Sequence, residues 1–180
     1  MKKTLTILLT GVVCLCLFAS CGQQAEENLQ LGESVSLNSY DFVMDELVFL
    51  NNIEHIQPPE GKTFLAMRFH YTNTTEETQK YTTMPMVQLL DEDGKEEYKI
   101  DYEASNIYAI MNGIDFNIMK DSLEAGEVRE DAEVYVVDIA DVGKDLVVQI
   151  VKTNYYYDLK NVQMPADGAQ PDDGTDNGEQ

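Results

Sequence analysis

The chain has 180 residues, of which 43% are hydrophobic, and its formal net charge at pH 7 is −21. That length predicts about one domain, and the hydrophobic content is that of a globular protein rather than a disordered one. Because 33 acidic residues face only 12 lysines and arginines, the composition argues against a basic surface and therefore against nucleic acid as a partner.

The N-terminus predicts a lipoprotein signal peptide over residues 1–20. A positively charged start precedes a mostly apolar run over residues 4–19, which is short for a membrane span. The small residues Ala19 and Ser20 then precede Cys21, an arrangement that resembles the lipobox of bacterial lipoproteins, in which the cysteine is lipidated. We therefore expect a lipid on Cys21 that holds the chain on the extracytoplasmic face of a bacterial cell membrane.

Cysteine usage is consistent with this interpretation. Cys14 and Cys16 lie inside the apolar run and would leave with the signal, so Cys21 would be the only cysteine of the mature chain. No intramolecular disulfide is then possible. The alternatives are an ordinary secreted protein with a chance cysteine, or an uncleaved anchor helix.

Composition divides the rest of the chain into three parts. Residues 21–32 are polar with little periodicity and predict a tether between the lipid and the domain. Residues 33–163 are long enough to build one hydrophobic core. Residues 164–180 contain prolines, glycines and acidic residues but no basic residue, which predicts a disordered acidic tail.

Alternating side chains predict strands in the first half of the domain. Apolar and polar residues alternate from Leu65 to Thr72, as in a strand with one buried face. Residues Phe42 to Leu50 predict another strand, although their spacing also suits a short helix. Val87 to Leu89 predicts a strand, and the Asp91–Gly94 turn after it predicts a hairpin that returns over Glu97–Ile100.

The second half continues this pattern after one ambiguous segment. Within residues 101–120, Tyr102 to Met111 predicts either a short helix or an irregular crossing loop. Residues Glu133–Ile139 and Leu146–Val151 are rich in β-branched side chains and predict strands, with a turn over Asp141–Lys144 between them. Short strands punctuated by turns favour an all-β, immunoglobulin-like antiparallel β-sandwich.

The order of these signals resembles a known family. Four segments carry the resemblance: Pro59–Leu65, Tyr71–Asn73, Leu89–Lys95 and Leu123–Glu127. Together they are similar to a bacterial extracytoplasmic lipoprotein domain of unknown function, which is grouped by fold with a mycobacterial secreted immunoprotective antigen. The resemblance covers about residues 33–152. It implies an immunoglobulin-like sandwich on a lipid anchor, and it supplies no catalytic residues to transfer.

Neither catalysis nor a cofactor is indicated by the sequence. His55 and His70 are the only histidines, the G-x-S-x-G motif of hydrolases is missing, and the one mature cysteine is expected to carry lipid. His70 is expected on the exposed face of its strand. We therefore predict no enzyme activity, no catalytic residue and no cofactor.

Acidic turns are weak candidates for a calcium site. Asp91 and Asp93, with Glu92 between them, offer oxygen ligands, and Asp138 and Asp141 form a second acidic group. Calcium requires six to eight oxygens, so this hypothesis needs both groups at one end of the sandwich. The alternative is that each group is a solvated turn.

Two further features remain open. Tyr155, Tyr156 and Tyr157 are consecutive, so in a strand Tyr156 points away from the other two, and the cluster predicts either core packing or a partner-binding surface. Asn73 begins a formal N-glycosylation sequence, but the bacterial type of the signal argues against its use.

These observations predict a lipid-anchored, non-enzymatic binding module. Its partners would be the membrane, through Cys21, and an envelope or surface protein. The alternative is an accessory lipoprotein that binds calcium or a small ligand.

Overall fold

The computed structural model describes residues 27–91, 93–95, 98–114 and 121–164. The predicted signal peptide, the lipidation site Cys21 and the predicted tail from residue 165 onward lie outside the described residues, as does Glu92 of the acidic turn. No helix in the described part of the chain is long and apolar enough to cross a membrane.

The described chain consists of strands and a single α-helix, numbered here in chain order. They are β1 (Glu27–Asn28), β2 (Ser34–Leu37), β3 (Tyr40–Leu50), β4 (Lys62–Asn73), β5 (Gln79–Lys80), β6 (Val87–Leu90), β7 (Lys99–Ile100), α1 (Tyr102–Met111), β8 (Ser122–Leu123), β9 (Val128–Asp138), β10 (Val147–Ile150) and β11 (Tyr155–Asp158). Short 3₁₀ turns at Tyr81–Thr83 and Ile139–Asp141 connect some of them.

Two sheets pack face to face. The large sheet has the order β2-β3-β4-β9-β7, and the small sheet has the order β1-β11-β10-β6. Neighbouring strands are antiparallel except β1 and β11, which are parallel, and β5 pairs with β8 separately. The predicted all-β, immunoglobulin-like sandwich with one short helix is confirmed.

Alternate side chains of the facing strands form the main core. Leu65, Met67 and Phe69 of β4 are at most 1% exposed and meet Val148 and Ile150 of β10 within one apolar cluster. Burying side chains of this size stabilises the fold by about 1.5–3 kcal/mol each. The period of two that predicted β4 therefore also selects its core face.

Helix α1 builds a second core on the outer face of the large sheet. Phe64 and Ala66, which alternate with the main-core residues of β4, are fully buried in a cluster that includes Tyr108 of α1. The prediction of one buried face is therefore wrong for Leu65–Met67, where both faces of β4 are covered. Alternation alone does not reveal a helix that covers the second face.

Side-chain capping explains why residues 102–111 are helical. The Asp101 carboxylate accepts a hydrogen bond from the Ala104 amide (3.0 Å) at the N-terminus of α1. Gly113 follows the helix with a φ of 74°, a conformation that glycine adopts without strain. Of the two alternatives for this segment, the helix is confirmed.

The segment predicted as a strand or short helix is a strand, β3. It pairs with β4 along its length, but the register shifts between Met44 and Glu46. Such a β-bulge turns the local side chains relative to the ladder. The inserted residue, Asp45, reaches the imidazole of His70 on β4.

The predicted hairpin over residues 87–100 is wrong. The turn at Asp91–Gly94 forms, with the Gly94 amide donating to the Asp91 carbonyl (3.0 Å), but β7 then pairs with β9 in the large sheet. The chain likewise changes sheet between β9 and β10. Turn residues specify a reversal, but they do not specify which strand the chain joins next.

The described part of the predicted tether lies on the small sheet. The Glu27 amide donates to the Asn154 carbonyl (3.0 Å) and the Leu29 amide donates to Tyr156 (2.8 Å). Leu29 is only 4% exposed. The sandwich therefore begins before residue 33.

Two ends of the sandwich can now be defined. The near end holds Glu27, the 38–39 turn and the 151–154 turn, because β1 and β11 both start there. The far end holds the 91–95 turn and residues 139–146, because Leu90 pairs with Val147 and Tyr98 donates to Asp141 (3.2 Å).

Candidate functional site

A groove of about 430 Å³ opens on the outer face of the small sheet, and we call it the outer groove. Val147 and Gln149 line it, whereas Val148 and Ile150, which alternate with them on β10, belong to the main core. The groove extends toward the far end and is lined by Leu90, Asp91, Asp93, Gly94, Asp145, Val147, Gln149, Tyr156, Asp158 and Lys160.

Amides and one aromatic ring form the middle of the outer groove. Gln149 stands between Gln88 and Tyr156 in the strand register. Gln88 donates to the Gln149 side-chain oxygen (2.8 Å), and Gln149 donates to the Thr153 carbonyl (3.1 Å). These bonds hold the Gln149 amide beside Tyr156, whose ring is half-buried.

Aspartates surround the far end of the outer groove. The Asp91 carboxylate accepts hydrogen bonds from the Asp93 and Lys95 amides (both 2.9 Å), which stabilises the turn. Asp145 pairs with Lys160 at 2.5 Å, and this hydrogen-bonded ion pair raises the pKa of Lys160. The groove therefore combines negative charge at one end with an aromatic ring farther along.

The second acidic group predicted from the sequence lies at the same end but outside the groove. Asp138 pairs with Lys62 (2.6 Å). Asp141 accepts from Lys144 (2.7 Å), and this bond, together with a weaker one from Tyr98, lowers the pKa of Asp141. Both acidic groups thus share one end, as the calcium hypothesis requires, but lysines neutralise Asp93, Asp138 and Asp141.

We expect calcium to leave the melting temperature of the protein unchanged at millimolar concentration. A ligand stabilises a fold only when it binds the folded state, and the described residues contain no cluster of three or more potential metal ligands. Thermal melts with calcium, and with magnesium as the control, check this. A rise specific to calcium would restore the accessory-lipoprotein alternative.

The three consecutive tyrosines occupy three different environments. Tyr157 is 2% exposed in the main core, and burial raises its pKa to about 12. Tyr155 is half-buried against the same core at the near end. Tyr156 alone faces the outer groove, so it is the member of the cluster placed to meet a partner there.

Solved structures with the same architecture are known. One is a conserved hypothetical protein from Bacillus anthracis, with a TM-score of 0.63 and 20% identity over 77% of this chain and 100% of that one. Another is an uncharacterized β-sandwich protein from Clostridium difficile, with a TM-score of 0.50 and 11% identity over 77% of this chain and 97% of that one. The shared property is the fold. No family model and no curated protein matches the chain.

Away from the outer groove, the bulge in β3 creates a carboxylate–histidine pair that sequence reasoning missed. Asp45 lies 2.8 Å from Nδ1 of His70, and both side chains are about one-third exposed at 28% and 33%. A carboxylate at Nδ1 fixes the orientation of an imidazole. No sequence signal marks Asp45, because the bulge depends on the pairing of β3 with β4.

A second polar group lies beside this pair under α1. The Tyr108 hydroxyl donates to Glu46 (2.7 Å), and Arg68 lies 3.6 Å from the same carboxylate. Burial and this hydrogen bond raise the pKa of Tyr108. Glu46 therefore links Tyr108 of α1 to Arg68 of β4, and this polar group serves as a structural link between the helix and the large sheet.

Two carboxylates point toward the interior from β9. Asp131 and Glu133 alternate with Ala132 and share their face with the core residue Tyr135, whose hydroxyl donates to Glu133 (3.1 Å). Burial, followed by the charge of Asp131, raises the pKa of Glu133 from 4.5 to about 7. Burial also raises the pKa of Asp131. The sequence indicates this inward position of Glu133, because Glu133 has the same period-two spacing as the core residues Tyr135 and Val137.

Proposed function

We propose that the protein is a lipid-anchored extracytoplasmic binding module, without enzyme activity, that holds a cationic segment of an envelope or surface protein in the outer groove. The observation that carries this proposal is the combination in one groove of the Tyr156 ring, the Gln149 amide and the far-end aspartates. Aromatic rings and desolvated polar groups together are typical of interaction surfaces.

The charges of the groove favour a positively charged occupant. Four aspartates line it: Asp91, Asp93, Asp145 and Asp158. Lys95 pairs with Asp93 and Lys160 pairs with Asp145, so Asp91 and Asp158 are the two without a lysine partner among the described residues. A lysine or arginine of the partner can approach these carboxylates while its stem lies against the face of Tyr156. The net charge of −21 on the whole chain also attracts a cationic partner at long range.

Neither histidine lines the outer groove. His70 hydrogen-bonds to Asp45. His55 is exposed between the bridged residues Ile53 and Ile56.

Site-specific photo-crosslinking in intact cells tests the proposed groove. A photoreactive phenylalanine analogue replaces Tyr156 in one version of the full chain and Tyr102 in the other. Tyr102 is 74% exposed on α1, which covers the large sheet, so it is the matched control. We expect a reproducible covalent adduct with an envelope protein from position 156 and none from position 102.

The predicted anchor is tested in the same cells. We expect Cys21→Ala to move the protein from the membrane fraction to the soluble fraction, because no lipid can then be attached. Wild type and Tyr156→Ala should both remain in the membrane. Equal adducts from positions 102 and 156, or none from either, would contradict the groove, whereas an unchanged membrane fraction for Cys21→Ala would contradict the anchor.

A further inference from the structure

A second cavity, of about 470 Å³, opens at the near end of the sandwich, and we call it the near-end pocket. It lies where β1 begins and where the chain turns between β10 and β11. Its lining residues are Glu27, Ser36, Leu37, Asn38, Lys152, Thr153, Asn154 and Tyr155.

The near-end pocket contains a cation and an amide that have no partner in the described part of the chain. The exposed Lys152 ammonium makes no ion pair there, and the Asn38 side chain makes no hydrogen bond there. Four lysines at the far end differ, because they pair with aspartates: Lys62 with Asp138, Lys95 with Asp93, Lys144 with Asp141 and Lys160 with Asp145.

The backbone at these two positions is unusual as well. Asn38 has a φ of 34° and Lys152 has a φ of 64°. Asparagine commonly adopts positive φ in a two-residue turn such as the one between β2 and β3, whereas the same conformation costs a lysine free energy. The chain thus retains an ammonium at position 152, where glycine would relieve the backbone.

Chain length places this pocket close to the predicted lipid. Glu27 follows Cys21 by six residues, which span at most about 20 Å when fully extended. Glu27, where the described part of the chain begins, donates its amide to the Asn154 carbonyl, and both residues line the pocket. A lipid on Cys21 therefore keeps the near end beside the bilayer surface, a step that rests on the anchor proposed above.

We propose that the near-end pocket faces the bilayer and binds the phosphate of a phospholipid headgroup through Lys152 and Asn38. Lysine binds phosphate as a point charge, and an asparagine amide donates hydrogen bonds to its oxygens. The half-buried Tyr155 supplies an amphipathic ring of the kind found at headgroup level. Glu27 in the pocket and the exposed Glu76, Glu77 and Glu124 at the same end oppose an anion. The contact therefore depends on the high local concentration that the anchor gives.

This contact orients the domain on the membrane. The outer groove extends toward the far end, where Asp91, Asp93 and Asp145 lie. With the near-end pocket on the bilayer, these aspartates face away from anionic headgroups and toward proteins of the envelope. The orientation therefore separates the lipid contact from the partner contact.

Energy transfer on vesicles tests the orientation. The lipidated protein, carrying a fluorophore on Glu76→Cys or on Glu60→Cys, is reconstituted into vesicles of phosphatidylethanolamine and phosphatidylglycerol with a headgroup-labelled acceptor lipid. Both positions are exposed; they lie beyond opposite ends of β4, which is about 36 Å long. We expect several-fold higher transfer from position 76, at the near end, than from position 60.

Matched lysine variants test the headgroup contact itself. We expect Lys152→Ala to reduce the difference between the two labels several-fold, and the far-end variant Lys95→Ala to leave it unchanged. Sedimentation of the protein with the vesicles reports the anchor separately. Equal transfer from both labels on sedimented protein, or equal effects of both lysine variants, would overturn the headgroup contact alone. Labelled protein that stays soluble would overturn the anchor and this contact together.

Discussion

Replacing Asn73 by alanine should destabilise the domain by about 3–4 kcal/mol, since each buried polar group left without a partner costs about 1–3 kcal/mol. The side chain is fully buried at the end of β4. Its amide nitrogen lies 2.8 Å from the Glu77 carbonyl, 3.0 Å from Leu123 and 3.1 Å from Glu124. Alanine would leave these carbonyl oxygens without their donor.

The Asn73 side chain also organises the turn that follows it. Its oxygen accepts hydrogen bonds from the Thr75 amide (3.0 Å) and hydroxyl (2.8 Å). Asn73→Asp should therefore also be destabilising, because a carboxylate keeps these acceptors but cannot donate to the carbonyl oxygens. A side chain buried in this way is not available to a glycosylation enzyme, which agrees with the interpretation of the sequence motif.

Urea unfolding of the full chain measures both effects. Asn52→Ala is the matched control, since Asn52 is exposed and its side chain donates one local hydrogen bond, to the Glu54 carbonyl (3.0 Å). We expect that control to change the free energy of unfolding by less than about 0.5 kcal/mol. A similarly small change for Asn73→Ala would show that water satisfies the three carbonyls.

Asn73 illustrates which features the sequence could predict. The end of β4 was predictable, because the alternation from Leu65 stops near Asn73 and turn-forming residues follow. The hydrogen bonds to Leu123 and Glu124 were not predictable, since these residues lie 50 and 51 positions beyond Asn73 in the sequence. Local patterns set the strand, and the contacts that fix its end are non-local.

The outer groove shows the same division. Alternation predicts that Tyr156 points away from Tyr155 and Tyr157, and the structure places Tyr157 in the core and Tyr156 in the groove. The meeting of Tyr156 with Asp91 depends on the order β11-β10-β6. A hairpin prediction for residues 87–100 placed β6 beside the wrong neighbour, so the groove could not be assembled from the sequence.

The pH dependence of stability should reveal the buried carboxylate Glu133. Its pKa is about 7 in the folded protein, compared with 4.5 ordinarily, so the folded state binds the proton more tightly than the unfolded state. The stability that this proton provides is fully present below pH 4.5 and is lost as the pH rises through about 7. Wild type should therefore lose about 1–3 kcal/mol between pH 5 and pH 8.

Glu133→Gln should remove most of this loss, because glutamine remains neutral and retains an acceptor for the Tyr135 hydroxyl. The residual slope would come from Asp131, whose pKa is also raised by burial and partly restored by Arg129. Glu130→Gln is the matched control, since Glu130 is exposed on the same strand. Unfolding curves at four pH values compare the variants; parallel pH profiles for wild type and Glu133→Gln would show that Glu133 is already ionised in the folded protein at pH 5. The expected result identifies the inward face of β9 as a place where the sandwich loses stability at neutral pH.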